Sequence, residues 1–299
     1  MKPLQTDKIK FFQQRGPGEK ITATFDFLRE NRSAWLKSCA WPIIPIALIY
    51  GWMQANAITF SPTYDSSPFD FDLMELIVGV TLKKSPLVSV YSLLFLVALW
   101  VLFTATSAMI HLYEYRTERL QSVTWAEWRG ALLHAVGYST VAALMTFLLL
   151  YALSLAGPML VLLLIAAAFP LALFAPACSL GRCGGAFASF ARALSLGVTT
   201  WGGIAITMAG LWLVLSFLRE ASDVVNAVLH RVIVNLVYTD GFSPVISKCV
   251  LTLSYAAVYW VSLLCFSAMM FCAAYLYGHA EEKISFISLD DDIRNFEHL

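Results

Sequence analysis

The sequence predicts an all-α integral membrane protein with six transmembrane helices in three hairpins, cytoplasmic interfacial amphipathic helices and a periplasmic amphipathic helix. The 299 residues have a mean hydropathy of +0.70 and only 13% are charged, against about 25% in soluble domains. Between Arg129 and Arg182 the chain runs for 52 residues without Asp, Glu, Lys or Arg. Since roughly 20 helical residues cross a hydrocarbon core of about 30 Å, this stretch predicts a helical hairpin that turns at Gly157-Pro158.

Four further charge-free runs each contain one stretch of spanning length, and the complete set of predicted spans is 38–58, 87–110, 136–156, 159–178, 198–218 and 249–277. The chain 1–299 is then a single polytopic domain. It has a cytoplasmic N-terminal segment (1–37), a six-span bundle (38–278) and a cytoplasmic tail (279–299). Residues 1–20 are polar and basic and lack an apolar core, so the first span is expected to act as an uncleaved anchor.

The distribution of basic residues predicts the orientation. An even number of spans places both termini on the same side, and with that side cytoplasmic the inner segments carry 15 Lys and Arg residues while the outer loops carry 5. This asymmetry follows the positive-inside rule. The protein is therefore expected to be a multi-pass protein with both termini cytoplasmic. The formal net charge is zero, which gives no reason to expect nucleic acid as a partner.

The inner segments before three spans share a short amphipathic pattern of two aromatic residues and an arginine, which predicts interfacial helices in contact with membrane lipids. Each would be followed by a two-span hairpin, giving a threefold repeat. The alternative is an ordinary aromatic belt at the membrane surface. The residues predicted to lie at the membrane interface are Phe25 and Arg29 in the first segment, Trp125, Trp128 and Arg129 in the second, and Phe187, Phe190 and Arg192 in the third.

The outer loop 220–247 contains a second kind of amphipathic pattern. Apolar side chains fall on one helical face from Val224 to Leu236, opposite Asp223 and Arg231. This predicts a helix that lies on the outer leaflet or caps the bundle, and a helix that binds a membrane protein partner is the alternative. The other long outer loop, 59–86, carries three prolines and an acidic cluster.

The predicted spans contain no ionisable residue near their middle. Charges at membrane depth are costly and usually mark function, so a proton-coupled carrier and an intramembrane aspartic protease are disfavoured. The remaining hydroxyl groups are explained by hydrogen bonds between helices, with a polar groove for a lipid headgroup as the alternative. Pro42, Pro45, Pro170 and Pro176 are expected to kink their helices.

Four residues at the predicted cytoplasmic ends of the spans form a weak candidate metal site: His111, Glu114, His134 and His279. Their spacing matches no common ligand motif. The sequence also lacks GxSxG, GxxxxGK[ST] and GxGxxG, and none of its six cysteines forms a CxxC pair. We therefore expect no cofactor and no catalytic residues, and we expect the cysteines to be small buried hydrophobic residues.

Two terminal segments carry a family resemblance. The opening GEKITATFDFLREN and the closing YLYGHAEEKISFISLDDDIRNF resemble a family of uncharacterised six-span bacterial inner-membrane proteins, often labelled beta-carotene monooxygenase. The layout is more distantly similar to the membrane domain of some glycerophosphodiester phosphodiesterases. The resemblance implies a membrane module in the bacterial inner membrane. The oxygenase label gains no support from the five histidines, and the soluble phosphodiesterase domain is missing.

Three functions remain open at this stage. The first is a non-enzymatic module that contacts lipids or organises membrane partners, which fits the interfacial helices and the absence of charge within the predicted spans. The second is a transporter or channel for a lipid-like or weakly polar substrate, with which repeats and kinked spans are compatible. The third is a membrane metalloenzyme built on the four candidate ligands.

Overall fold

The computed structural model describes residues 8–57, 90–116, 120, 123–155, 171–181, 185–239 and 243–285, and these residues are almost entirely helical. The helices in chain order are α1 (Pro17–Glu30), α2 (Arg32–Trp35), a π-helical segment (Leu36–Ala40), α3 (Trp41–Ala57), α4 (Val90–Tyr115), α5 (Trp125–Leu155), α6 (Phe174–Leu180), α7 (Ala186–Thr199), α8 (Trp201–Thr239) and α9 (Pro244–Ser285).

Five helical segments are long and apolar enough to cross a membrane: Arg32–Asn56, Leu93–Tyr115, Trp125–Leu149, Trp201–Val237 and Pro244–Ser285. They correspond to predicted spans 1, 2, 3, 5 and 6, and for the described residues they confirm an all-helical fold with several apolar helices long enough to cross a membrane. Most of predicted span 4, the turn at Gly157-Pro158, the loop 59–86 and the tail beyond Ser285 lie outside the described residues.

Helix α9 is the central element of the bundle and packs against α1, α3, α4, α6, α7 and α8. Its closest neighbour is α3. Gly51 of α3 lies directly against the backbone of Thr252, so a side chain at this position would overlap the neighbouring helix. Tyr50 stacks on Tyr259 with ring centroids 4.1 Å apart. Small residues at helix contacts allow backbones to approach closely in membranes, and this accounts for the tight α3–α9 pair.

The segment 8–16 lies across the C-terminal parts of α4 and α9. Phe11 is fully buried and its ring packs on Phe27, Tyr113 and Tyr275 at centroid distances of 5.9, 5.6 and 4.8 Å. Lys8 Nζ donates to the Glu114 and Arg116 carbonyls at the end of α4, at 2.9 and 2.8 Å. The segment therefore closes this end of the bundle with aromatic packing and caps a helix C-terminus with a cation.

The second predicted interfacial helix is not a separate element. A capping box starts α5: the Thr124 N–H donates to Glu127 Oε2 at 2.8 Å and the Glu127 N–H donates to Thr124 Oγ1 at 3.4 Å. From Trp125 the helix then runs unbroken for 31 residues. The predicted boundary between an interfacial helix and span 3 is absent, because nothing after Arg129 interrupts the helix.

The predicted outer amphipathic helix is likewise continuous with span 5. Helix α8 extends from Trp201 to Thr239, 39 residues, with no break after the last residue of the predicted span. The valine-rich side is exposed, as Val224, Val225 and Val228 show, whereas Ile233 is buried against α3 and α9. The prediction of amphipathic helix was correct and its separation from the span was wrong.

The prolines and cysteines fit the packing in part. Pro45 lies inside α3, just after the π-helical segment, and Trp260 Nε1 donates to the Ala40 carbonyl at this junction at 3.0 Å. Such bonds satisfy carbonyl groups where a membrane helix is irregular. Cys39 and Cys272 are fully buried, but Cys249 is exposed, and the cysteines of the described part of the chain are free thiols.

Candidate functional site

An apolar cavity of about 210 Å³ lies between α4, α5, α6, α8 and α9. Its walls are mainly alanine, leucine and phenylalanine, with four flexible methionine side chains: Met145, Met208, Met269 and Met270. Thr106 is one of few polar lining residues. Its hydroxyl donates to the Leu102 carbonyl at 2.7 Å and lies 3.3 Å from Met270 Sδ. The cavity therefore offers a ligand dispersion contacts with adaptable walls.

An aromatic cluster joins α1 to α4 and α9. Phe27 contacts Tyr113 at 4.8 Å and Phe271 at 5.0 Å between ring centroids, and Phe11 and Tyr275 complete the cluster. Large aromatic side chains bury much area and pack rigidly. The cluster therefore fixes α1 and the segment 8–16 against the two longer helices.

A second opening, about 160 Å³, has the opposite character, and we call it the cationic pocket. Lys20, His279 and Lys283 line one side, and the first turn of α8 at Gly202 and Gly203 lines the other. Lys20 is only 2% exposed although it comes from α1, the first helix of the chain. Three distant parts of the sequence therefore meet here.

The described residues do not balance the positive charge of the cationic pocket. No carboxylate in the described part of the chain forms an ion pair with Lys20 or Lys283. Burial lowers the pKa of Lys20; the Cys272 thiol opposes this shift and Lys283 adds to it. The Arg15 N–H donates to His279 Nδ1 at 3.1 Å, and this bond assigns the proton of a neutral imidazole to Nε2.

The residues predicted at the interface fall into different environments. Phe25 is 39% exposed and Arg29 pairs with Asp26 at 2.9 Å on the outer side of α1. Trp125 is 71% exposed at the start of α5, and Trp128 and Arg129 occupy the next turn, where Trp128 packs partly on the bundle. These positions form an amphipathic surface.

In α7 the three predicted interface residues separate. Phe187 is 93% exposed, whereas Phe190 packs on Phe174 with ring centroids 5.8 Å apart. Arg192 turns toward α9, where Nε and Nη2 donate to the two carboxylate oxygens of Glu281 at 2.8 and 2.6 Å. This bidentate pair fastens α7 to the bundle, and the Arg192 side chain remains 32% exposed.

The candidate metal ligands do not converge. His111 and His134 stack with ring centroids 4.9 Å apart, and His111 Nδ1 lies 3.4 Å from the Ser179 carbonyl. His279 is in the cationic pocket instead. Across the described residues, no group of three or more His, Cys, Asp or Glu side chains is arranged to hold a metal ion.

Helix α8 contains a buried charged group that the sequence did not single out. Arg219 is 7% exposed, and its Nε is 3.4 Å from Asp223 Oδ2. Its Nη1 is buried without a hydrogen-bond partner among the residues that the structure describes. Arg219 directly follows predicted span 198–218, so its burial does not bear on the prediction that no ionisable residue lies near the middle of that span.

No family model matches the sequence, and no curated protein or solved structure shows significant similarity to it.

Proposed function

We propose that the protein is a non-enzymatic membrane module that binds lipid inside its helical bundle, in a bacterial inner membrane with six spans in three hairpins and both termini cytoplasmic. The apolar cavity carries this proposal. A cavity with flexible methionine walls suits an acyl or isoprenoid chain, because such chains gain free energy mainly from dispersion and apolar contact.

The surface supports the same proposal. The exposed valine-rich side of α8, from Val224 to Val232, and the exposed Phe187 on α7 present apolar groups outside the bundle. Contiguous exposed apolar surface marks contact with a membrane or a protein partner. We propose membrane lipids as the principal contact and a membrane protein partner as an additional one.

Native mass spectrometry of the protein extracted directly from its own membrane tests lipid binding. We expect a stoichiometric lipid on the wild-type protein and its loss in Ala273→Leu, which places a larger side chain into the cavity wall. Ala55→Leu is the matched control, because Ala55 is equally buried but belongs to a separate cluster with Ile233 and Leu251. A protein free of lipid, or a lipid retained in Ala273→Leu, would contradict the proposal.

The proposed orientation of the protein in the membrane can be tested separately. Fusion of alkaline phosphatase to the C-terminus should be inactive and fusion of green fluorescent protein should be fluorescent, as expected for a cytoplasmic terminus. An active phosphatase fusion would reverse the assignment of the inner and outer loops. It would leave the lipid-binding proposal intact, because that rests on the cavity.

Transport of a lipid-like substrate is the second candidate function, and the buried Arg219 favours it. Buried ionisable residues of membrane proteins are costly and commonly line substrate pathways. Purified protein in liposomes should then move a fluorescent phospholipid between leaflets, and Arg219→Leu should abolish this movement while leaving bound lipid unchanged. Equal rates in empty liposomes and in liposomes with protein would exclude transport of that substrate.

A further inference from the structure

The cationic pocket contains a buried lysine that the described protein does not neutralise. Taking an ammonium group out of water is unfavourable unless the charge is paired or hydrogen-bonded. Lys20 is 2% exposed, and no described carboxylate lies within ion-pair distance of it. Its side chain lines the pocket. A negatively charged partner that enters this space from outside the described residues would therefore stabilise the ammonium group.

The start of α8 supplies a second, independent feature on the opposite wall. The first amide N–H groups of a helix have no intrahelical partner, and the helix dipole places partial positive charge there. The first turn of α8 contains no acidic residue. The hydroxyls of Thr199 and Thr200 point back to α7, where they donate to the Ser195 and Leu196 carbonyls at 2.7 and 2.8 Å. The donors on this wall are therefore the backbone amides.

The glycines at this helix start keep the amides accessible. In an α-helix each Cβ tilts toward the N-terminus, so a side chain in the first turn would project toward an anion bound there. A Cβ at Gly202 or Gly203 would meet no atom within 4 Å. Packing against the protein therefore does not require glycine at either position, whereas close approach of a ligand to the backbone does.

Helix α9 adds two more hydrogen-bond donors to the pocket. Lys283 contributes an ammonium group, and His279 contributes Nε2–H, because its Nδ1 accepts the Arg15 N–H. A ligand in the pocket thus meets two ammonium groups, an imidazole donor and two backbone amides. A tetrahedral oxyanion has acceptor oxygens in several directions and matches a set of donors placed on opposing walls.

We propose that the cationic pocket is a binding site for a phosphate group, held by Lys20, Lys283, His279 and the Gly202 and Gly203 amides. The phosphate belongs either to the headgroup of a phospholipid or to a soluble phosphate. This inference does not rest on the apolar cavity, which has different walls apart from sharing α8 and α9.

The test uses the full-length protein in detergent and in nanodiscs. Binding of inorganic phosphate is measured by calorimetry in detergent, and lipid binding by native mass spectrometry after exchange into nanodiscs of phosphatidylglycerol or of uncharged diglycosyl diacylglycerol. The variants are Lys20→Met, the double variant Gly202→Ala/Gly203→Ala, and Gly137→Ala. Gly137 is the matched control, because a Cβ there also meets no atom within 4 Å but lies on α5, away from the pocket.

We expect phosphate or phosphatidylglycerol to bind the wild-type and Gly137→Ala proteins. Affinity should fall by at least about tenfold in Lys20→Met, since a hydrogen bond to a charged group is lost, and should fall in the double glycine variant. Lys20→Met should also raise the thermal midpoint of the ligand-free protein, because a buried charge is removed. Alanine favours the helix over glycine, so loss of binding in the double variant cannot be attributed to unfolding.

The two binding measurements together identify the source of the phosphate. Binding of phosphatidylglycerol without inorganic phosphate supports a lipid headgroup, and binding of inorganic phosphate in detergent supports a soluble ligand. The proposal is overturned if neither binds, if uncharged glycolipid binds equally well, or if both pocket variants bind like wild type. Failure here leaves the Ala273→Leu experiment unaffected, so the two proposals can fail separately.

Discussion

Helices α1 and α7 have the same length, and the residue at which the chain leaves each helix (the helix exit) has the same backbone conformation. The two helices nevertheless pack in different ways. Each has 14 residues and each precedes a predicted span. Asn31 after α1 has φ −107° and ψ 23°, and Thr200 after α7 has φ −110° and ψ 17°; in both cases the backbone N–H donates to the carbonyl four residues earlier. The two helices therefore end in the same backbone conformation.

The difference between the two helices lies in what covers them. The segment 8–16 lies near α1, and Phe27 belongs to the buried aromatic cluster. By contrast α7 leaves Phe187 almost fully exposed and is tied to α9 through Arg192 and Glu281. The same amphipathic pattern can therefore form part of the protein core or remain an interfacial helix, depending on whether another segment covers it.

The largest expected effect distinguishes these two roles directly. Phe27→Ala removes a fully buried ring from the aromatic cluster and should lower the free energy of unfolding by about 3–5 kcal/mol, the range for large-to-small changes in cores. Denaturant unfolding in detergent, followed by tryptophan fluorescence, measures it. A loss below about 1 kcal/mol would mean that the cluster does not stabilise the bundle.

The second-largest loss of stability is expected when the Arg192–Glu281 pair, which anchors α7 to α9, is removed. Arg192→Ala removes two charge-assisted hydrogen bonds to Glu281 and should cost about 2 kcal/mol. Because Tyr277 and Ser285 still donate to Glu281, part of the carboxylate remains satisfied. A double-mutant cycle with Glu281→Gln isolates the pair, and additive losses would show that the two side chains act independently.

Substitutions at the two helix exits, Asn31 and Thr200, should lower stability by smaller and unequal amounts. The Asn31 amide donates to the Phe27 carbonyl at 3.0 Å and its Oδ1 accepts the Leu120 N–H at 3.1 Å, whereas the Thr200 hydroxyl bonds only locally to Leu196. Asn31→Ala should therefore cost about 1.5 kcal/mol and Thr200→Ala about 0.5 kcal/mol. Equal thermal midpoints for the two variants would argue against a different role of the two exits.

The smallest expected effect is that of Phe187→Ala. The side chain is 93% exposed, and exposed substitutions usually change stability by less than about 0.5 kcal/mol. In contrast, a fluorescent probe attached near this position should move from an apolar to an aqueous environment in nanodiscs, because the ring no longer inserts at the headgroup level. A stability loss similar to that of Phe27→Ala would show that α7 is as deeply packed as α1.

Hydrophobic patterning predicts much of this fold because burial in a bilayer requires long apolar helices. The runs ending before Glu114 and beginning after Lys248 mark the spans formed by α4 and α9. Boundaries were less predictable. The chain crosses from Arg129 into span 3 and from Arg219 into the outer amphipathic stretch without leaving helical geometry, and a polar residue alone does not end a helix.

The cationic pocket was beyond prediction from the sequence. Lys20 reads as one more basic residue of the inner N-terminal segment, and Gly202-Gly203 reads as a pair of small residues at the start of a span. Their meeting depends on how α1 packs against α8 and α9, which is a tertiary contact between residues far apart in sequence. For the same reason, the placement of His279 with Lys20, away from His111, could not be inferred from spacing.

The burial of Phe11 sets an order on biogenesis. Its ring leaves the ribosome long before Tyr275 and the backbone of Gly278, against which it packs in α9. Contacts between distant parts of a chain form late, and chain growth delays this one further. The segment 8–16 can therefore take its packed position only after α9 has been synthesised.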